Sequence, residues 1–327
     1  MRALVVEALA ADYAGCAIRE APTPEPGPGE VRVRVRAAGV NFPDLLQTRG
    51  EYQHKPDLPF IPGLEVSGEV EALGEGVTGL KIGDPVAGSA QIGGISDYAV
   101  STAGTWWPKP ADFSWGEAAG FGSGYITAYV AFVRRADLRP GEWVLVLGAA
   151  GGMGLAAVDL ARQMGARVIA AASSDAKLAV VQAKYAPDAV VNVTGGFRDR
   201  VMEITGGHGC DVIFDPVGGD VFDEAVRCVA FDGRLCVVGF TSGRRPILGA
   251  NIALIKGFSL VGVRAGEYGR RFPEKGLENR AAIWKLAHEG KLRPHVYREY
   301  PLTDWRAAFD ALADRQVIGK SIIRLDT

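Results

Sequence analysis

The chain has 327 residues, 48% of them hydrophobic and 23% charged, with a net charge of −2. That balance marks a folded globular protein, and the length implies about two domains. It leaves no electrostatic footprint for nucleic acid or an anionic membrane surface. The start, Met1 to Gly15, carries Glu7 and Asp12 and lacks the basic region and long apolar core of a signal peptide. Four scattered cysteines without a C-x-x-C pair imply reduced, inert thiols and a cytoplasmic setting. The longest apolar stretch, Trp143 to Val158, is too short to span a membrane and has a glycine turn in its middle.

The first third predicts a β-rich lobe. Arg32, Arg34 and Arg36 alternate with Val31, Val33 and Val35, the pattern of a half-buried strand with one solvated face. SGEVEAL and DPVAGS read as short strands between dense Pro/Gly turns. From about Ala118 strands and helices alternate. Strands are expected at Trp143–Leu147, Arg167–Ala172, Ala189–Val193, Asp211–Phe214, Arg234–Val238 and Ser259–Val263. Helices fall between them at Met153–Met164, Lys177–Lys184, Phe197–Ile204 and Val221–Val229. This alternation predicts an α/β fold with a doubly wound parallel sheet. Beyond Val263 come helical periods near Asn279–Glu289 and Trp305–Ala313, and a last strand at Ser321–Leu325. The simplest account inserts a nucleotide domain into a second domain built from both ends of the chain, with ligands expected in the cleft between the lobes.

The segment Leu145 to Gly154 carries the strongest functional signal. An apolar strand breaks into Gly148, Ala149, Ala150, Gly151, Gly152, Met153 and Gly154, then a helix begins. Such a turn lets the backbone approach a pyrophosphate and offer helix N-terminal N–H groups to it. An NAD site usually ends its second strand in an acid that binds the ribose hydroxyls. Here Ala172 stands there, followed by Ser173, Ser174 and Lys177, a setting that suits the 2′-phosphate of NADPH over NADH. Two facts compete with this: Ser173 or Ser174 also suits a helix cap, and an inward Asp175 would repel a phosphate.

The motifs AAGVNFPDLLQTRGEY, FIPGLEVSGEVEALGEGV, KIGDPVAG, LRPGEWVLVLGAAGGMG, EITGGHGCDVIFDPVGGD and GRLCVVGF follow one another in order. Together they resemble the zinc-free quinone oxidoreductase (zeta-crystallin-like) branch of the medium-chain dehydrogenase/reductase superfamily. The resemblance implies a Rossmann domain, residues 121–263, inserted into a GroES-like catalytic domain made of 1–120 and 264–327, and a homodimer. The segments that would carry zinc ligands read Gly39-Val40-Asn41-Phe42, Gly63-Leu64-Glu65 and Gly122-Ser123-Gly124. They hold neither thiolate nor imidazole, so no metal is expected.

What the resemblance then implies is a metal-free enzyme moving hydride from NADPH to a quinone or an α,β-unsaturated carbonyl. Asn41, Asp44 and Tyr52 would line the nicotinamide end as catalytic candidates, Tyr52 as a proton donor. Thr127, Gly239, Phe240, Val263 and Arg264 would join the glycine turn in holding the cofactor. Plainer roles compete: Asn41 pinning a turn, Asp44 capping a helix after Pro43, Tyr52 packing in a loop, Glu65 as a structural carboxylate. The branch's usual tyrosine after the third strand is absent, since Val193 follows Asn192. A related alternative is an enoyl- or acrylyl-CoA reductase, for which Arg244, Arg245, Arg270 and Arg271 would have to line a basic channel. An alternative of another class is an NADPH-binding structural or RNA-binding crystallin-like protein. The acidic balance opposes RNA.

Overall fold

Alternating valines and arginines over Glu30–Gly39 produce a strand with two unlike faces. Val31, Val33 and Val35 are buried. On the other face Arg32 pairs with Glu25 and Glu71, Arg36 pairs with Glu69, and Arg34 lies over the Tyr98 ring. This strand anchors the first of two units in the computed structural model, which describes residues 1–90 and 92–325. The first unit comprises Met1–Ser123 and Pro294–Thr327; the second is Gly124–Arg293.

The N-terminal part of the first unit runs β1 (Arg2–Val6), β2 (Cys16–Glu20), β3 (Glu30–Gly39), α1 (Phe42–Thr48), β4 (Glu65–Leu73), β5 (Pro85–Ser89), β6 (Tyr98–Thr102), β7 (Trp106–Pro108) and α2 (Trp115–Ala119). Helix α3 (Gly122–Tyr129) leads into the second unit and continues as a π-helix over Val130–Arg135.

There the chain alternates β8 (Trp143–Val146), α4 (Gly152–Gln163), β9 (Arg167–Ala172), α5 (Asp175–Tyr185), β10 (Ala189–Asn192), α6 (Arg198–Ile204), β11 (Cys210–Asp215), α7 (Gly219–Ala225), β12 (Val229–Val237), α8 (Ala250–Lys256) and β13 (Ser259–Gly262). The helices α9 (Ala265–Arg271) and α10 (Pro273–His288) end this unit. The strands form one sheet in the order β10-β9-β8-β11-β12-β13, every pairing parallel. This is the doubly wound arrangement that the alternation predicts. Its core is aliphatic and aromatic, with Leu145, Ile169, Ile213, Phe222 and Leu235 at the centre.

The chain then returns to the first unit as β14 (Val296–Pro301), α11 (Trp305–Ala313) and β15 (Lys320–Arg324). Antiparallel pairing sets Ile322 opposite Gly39 and Ile323 opposite Ala38. The two ends of the chain thus share one sheet, ordered β14-β15-β3-β4-β5-β7, with β6 also on β3. Tyr13, Trp305 and Phe309 meet edge to face in its core.

Two features differ from the sequence expectation. Residues 264–293, expected with the catalytic lobe, belong to the second unit. Arg134 of the π-helix donates to Asn279 and pairs with Glu278, which ties α10 there. Strand β12 also begins at Val229 rather than Arg234, extended through a register irregularity against β11. All four cysteines are buried and free, and burial pushes the Cys228 and Cys236 thiols up to about 12, as inert thiols require. Among the described residues no helix is long and apolar enough to cross a membrane.

One buried carboxylate fastens both ends of the second unit. Asp159 on α4 accepts the Tyr125 hydroxyl at 2.6 Å and the Arg293 backbone N–H at 3.0 Å. Burial raises its carboxyl to about 6, against the opposing pull of those two bonds. Between pH about 4 and 6 the folded protein therefore keeps a proton that the unfolded chain releases. Stability conferred by protonated Asp159 is lost as pH rises through that window, by up to about 3 kcal/mol at about 1.4 kcal/mol per pKa unit. Urea titrations from pH 4 to 7 should show this slope in the wild type relative to Asp159→Asn; parallel curves would refute it.

Candidate functional site

The second unit gathers its predicted site residues at the C-terminal ends of parallel strands. Gly148 closes the β8 end with φ +61°, a left-handed conformation suited to glycine. A Cβ on Gly154 would stand 2.2 Å from the Gly148 carbonyl oxygen, so only glycine lets α4 pack against the turn. Gly151 is the N-cap of α4 and brings no side chain to it. A Cβ there would meet only the Gly148 oxygen, at 3.5 Å. The first N–H groups of α4 thus emerge at a bare turn, which fits an anionic pyrophosphate.

At the next strand end, Ser174 caps α5 by accepting the Lys177 N–H at 3.4 Å. The plainer reading of Ser174 is therefore realised. Asp175 accepts from the Asn192 side chain at 2.9 Å, and Thr194 donates to the Ser173 carbonyl. The Asn192 amide thus holds Asp175 without neutralising it, and Asn192 has a role without the family's following tyrosine.

Gly239 and Phe240 follow β12, Val263 and Arg264 follow β13, and Thr127 lies on α3. Arg264 lines a hollow of about 170 Å³ beside α9, with Arg135, Glu267 and Arg271. Asp215, at the end of β11, is fully buried. One of its oxygens takes the N–H groups of Val217 and Gly218, while its Oδ2 has no partner among the described residues. The sequence alone assigns Asp215 no role.

The first unit brings together Asn41 and Asp44. Pro43 in the first turn favours a helix start, and Asp44 reaches back to accept the Asn41 backbone N–H at 2.7 Å. Its other oxygen accepts the Gly63 N–H at 3.1 Å. Asp44 thus does cap α1, as the plainer reading held. Complete burial raises its carboxyl to about 7, opposed by those N–H groups and by the charge of Lys320. Tyr52 lies half-buried beyond the turn at Gly50, and its hydroxyl has no partner among the described residues.

Around Asn41 stands a cluster that the sequence did not announce. Lys320, the first residue of β15, donates to Asn41 Oδ1 at 2.6 Å and to Glu65 Oε2 at 2.8 Å. The Asn41 Nδ2 donates to the same Glu65 oxygen at 2.9 Å and to the Gly39 carbonyl at 3.2 Å. The other Glu65 oxygen takes the Ser123 backbone N–H in a short bond. Glu65 and Lys320 are both buried. Gly120 makes room for the lysine stem, since a Cβ there would lie 3.2 Å from it, while Gly39 admits the Ala119 carbonyl, which a Cβ would meet at 2.5 Å. A lysine at a strand end reads as solvated, so Lys320 went unnoticed. The available signal is Glu65, an acid between Leu64 and Val66 at the start of β4 that, once buried, needs a cation.

The three segments expected to carry zinc ligands in an alcohol dehydrogenase thus converge on Glu65, whose other partner is an ammonium. The donors are an amide, a carboxylate already paired with that ammonium, and backbone N–H groups. This set does not fit zinc. No group of three or more His, Cys, Asp or Glu among the described residues is placed to hold a metal ion.

Comparison with known proteins agrees with this architecture. Residues 27–137 match the model of the alcohol dehydrogenase GroES-like domain, and residues 152–279 that of the zinc-binding dehydrogenase. A quinone oxidoreductase-like protein 2 homolog of Nematostella vectensis is 40% identical over 88% of this chain and 79% of its own. A probable oxidoreductase from Mycobacterium abscessus superposes with TM-score 0.89 at 39% identity, covering 99% of this chain and 98% of that one. A mycobacterial protein solved with NADPH gives TM-score 0.90 at 28% identity, over 99% of this chain and all of the other. The chain belongs to the quinone oxidoreductase branch of the medium-chain dehydrogenase/reductase superfamily, whose members are oxidoreductases.

Proposed function

We propose that this chain is an NADPH-dependent, metal-free reductase that delivers hydride to a quinone or to an alkene conjugated with a carbonyl. The observation that carries this reading is the Lys320 ammonium on Glu65, 2.8 Å away, where a metal-dependent relative needs ligands. A divalent ion there would face like charge and lack soft donors. The bare N-terminus of α4 supports a bound dinucleotide, and Ser173, Ser174 and Lys177 after β9, with no acid at the end of that strand, support one whose 2′ position carries phosphate. Bound NADPH would supply the hydride. This chain's own groups would bind and orient it, with the α4 N–H groups on the pyrophosphate and Ser173 and Lys177 toward the 2′-phosphate. The relatives named as quinone oxidoreductases support the substrate class.

The acyl-CoA alternative loses support. Arg244 pairs with Asp220 and Asp223, and Arg270 and Arg271 both pair with Glu267. Three of the four arginines required for a basic channel already have carboxylate partners.

We also propose a homodimer, formed through the outer edge of β13. That strand pairs only with β12, which leaves a free edge. Leu260 on this strand and Leu254 and Ile255 on the preceding α8 are exposed, Leu254 by 83%, apolar side chains suited to a second copy.

Three outcomes follow. NADPH oxidation followed with 1,4-benzoquinone, 9,10-phenanthrenequinone, acrolein-type enones and crotonyl-CoA should be fastest with the quinones or enones and unchanged after dialysis against EDTA. Loss of activity on chelation would overturn the metal-free reading. Lys177→Ala should raise KM for NADPH about tenfold, the worth of one charge-assisted contact, while KM for NADH stays within about twofold; equal effects would remove Lys177 from the phosphate site. Light scattering should give a dimer for the wild type and a monomer for Leu254→Glu/Leu260→Glu, and a wild-type monomer would refute the edge assembly.

A further inference from the structure

The buried cation supports one step more, which rests on the reductase reading above. We propose that Lys320 is a positioning residue that locks the Asn41 amide in a single orientation and leaves it a hydrogen-bond acceptor only toward ligand. An asparagine side chain offers two N–H donors and one oxygen with two acceptor sites, and its two ends are nearly isosteric. Here both N–H groups are engaged, by Glu65 Oε2 at 2.9 Å and the Gly39 carbonyl at 3.2 Å. One acceptor site of Oδ1 holds the Lys320 ammonium at 2.6 Å. Flipping the amide would set NH₂ against NH₃⁺ and bring its oxygen against the carboxylate. Both changes are repulsive inside a buried cluster. The Asp44 backbone N–H faces this side chain in the capping box without closing a hydrogen bond to it, so what remains is the second acceptor site of Oδ1, on a half-buried residue.

This changes the chemistry available to Asn41. It is not free to donate to a developing oxyanion. It is suited to accept from an N–H or O–H group of the bound ligand, such as a carboxamide NH₂ or a ribose hydroxyl. Lys320 acts on the ligand through Asn41 and not by its own field, because Glu65 cancels that charge within hydrogen-bond distance. Ser123, which donates to the second Glu65 oxygen, keeps the carboxylate from turning away. The other charge near the cluster is Asp44, held by the N–H groups of Asn41 and Gly63 on the backbone side of the same residue.

The test separates orientation from stability. Lys320→Met leaves Glu65 buried and unpaired, so both Tm and activity should fall. Lys320→Met/Glu65→Gln removes both charges, so Tm should return close to wild type. The double variant should nevertheless keep a kcat at least about tenfold below wild type, since misplaced site groups cost one to two orders of magnitude. Its KM for NADPH should change less than about twofold, because the second unit holds the nucleotide's phosphates. A double variant with wild-type kcat would reduce Lys320 to a structural ion pair and overturn the proposal.

A second measurement needs no activity. In ¹⁵N-labelled protein the Asn41 side-chain amide, assigned by its loss in Asn41→Asp, should give one pair of exchange-protected proton signals. In the double variant those signals should broaden or exchange freely. Unprotected signals in the wild type would overturn the proposal even if none of the acceptors tried is reduced. Failure of the acceptor panel alone would instead count against the reductase reading.

Discussion

A carboxylate buried in a strand must find a cation, and much of the first unit follows from that constraint. Glu65 lies within β4, and its partner Lys320 is 255 residues further along the chain. The ammonium reaches it because β15 pairs with β3 and because Gly120 leaves space for the stem. Removing one member of such a pair typically costs about 3–5 kcal/mol, whereas replacing both by apolar groups is often neutral. The pair therefore adds little net stability. What it adds is a unique arrangement: the return of the C-terminal segment, the Ser123 backbone and the Asn41 amide are all fixed by one carboxylate.

The second unit solves its binding problem without side-chain charge at the turn. Gly154 admits the close approach of α4, Gly148 supplies the left-handed turn, and Gly151 leaves the helix N-terminus uncovered. At the neighbouring strand end side chains shape the approach, with Ser174 capping α5 and Asn192 holding Asp175. In this unit the polar groups are backbone groups, and the side chains around them are mostly absent or tied down. In the first unit the reverse holds, since the polar groups are side chains whose freedom has been removed by one another.

That difference explains what could be read from the chain. Backbone-driven features are local. The valine–arginine alternation of β3, the apolar strand before Gly148 and the helical period of α4 are all visible within a dozen residues. Most strands of the parallel sheet accordingly match expectation to within a residue or two, and Arg167–Ala172 matches throughout. The cluster around Glu65 is legible only in half. Asn41 and Asp44 stand close together in sequence and were singled out, but Lys320 owes its role to a sheet pairing between the two ends of the chain. The placement of residues 264–293 failed for a similar reason: the bond from Arg134 to Asn279 spans 145 residues and leaves no local trace.

On the proposed reading, the same ion pair narrows the substrate. A divalent metal polarises a bound oxygen directly and carries much of the charge that develops there. An ammonium already compensated by a carboxylate at 2.8 Å exerts only a weak outward field. A site built this way gives little help to an acceptor that must concentrate negative charge on one oxygen. It suits acceptors that spread the charge themselves, over a quinone ring or along a conjugated carbonyl. They need from the protein chiefly a held nicotinamide, an oriented acceptor such as Asn41 Oδ1 to fix it, and a nearby proton. On that reading the proton would come from water or from the Tyr52 hydroxyl. In a reductase of this kind the burden of charge stabilisation would pass from the protein to the substrate.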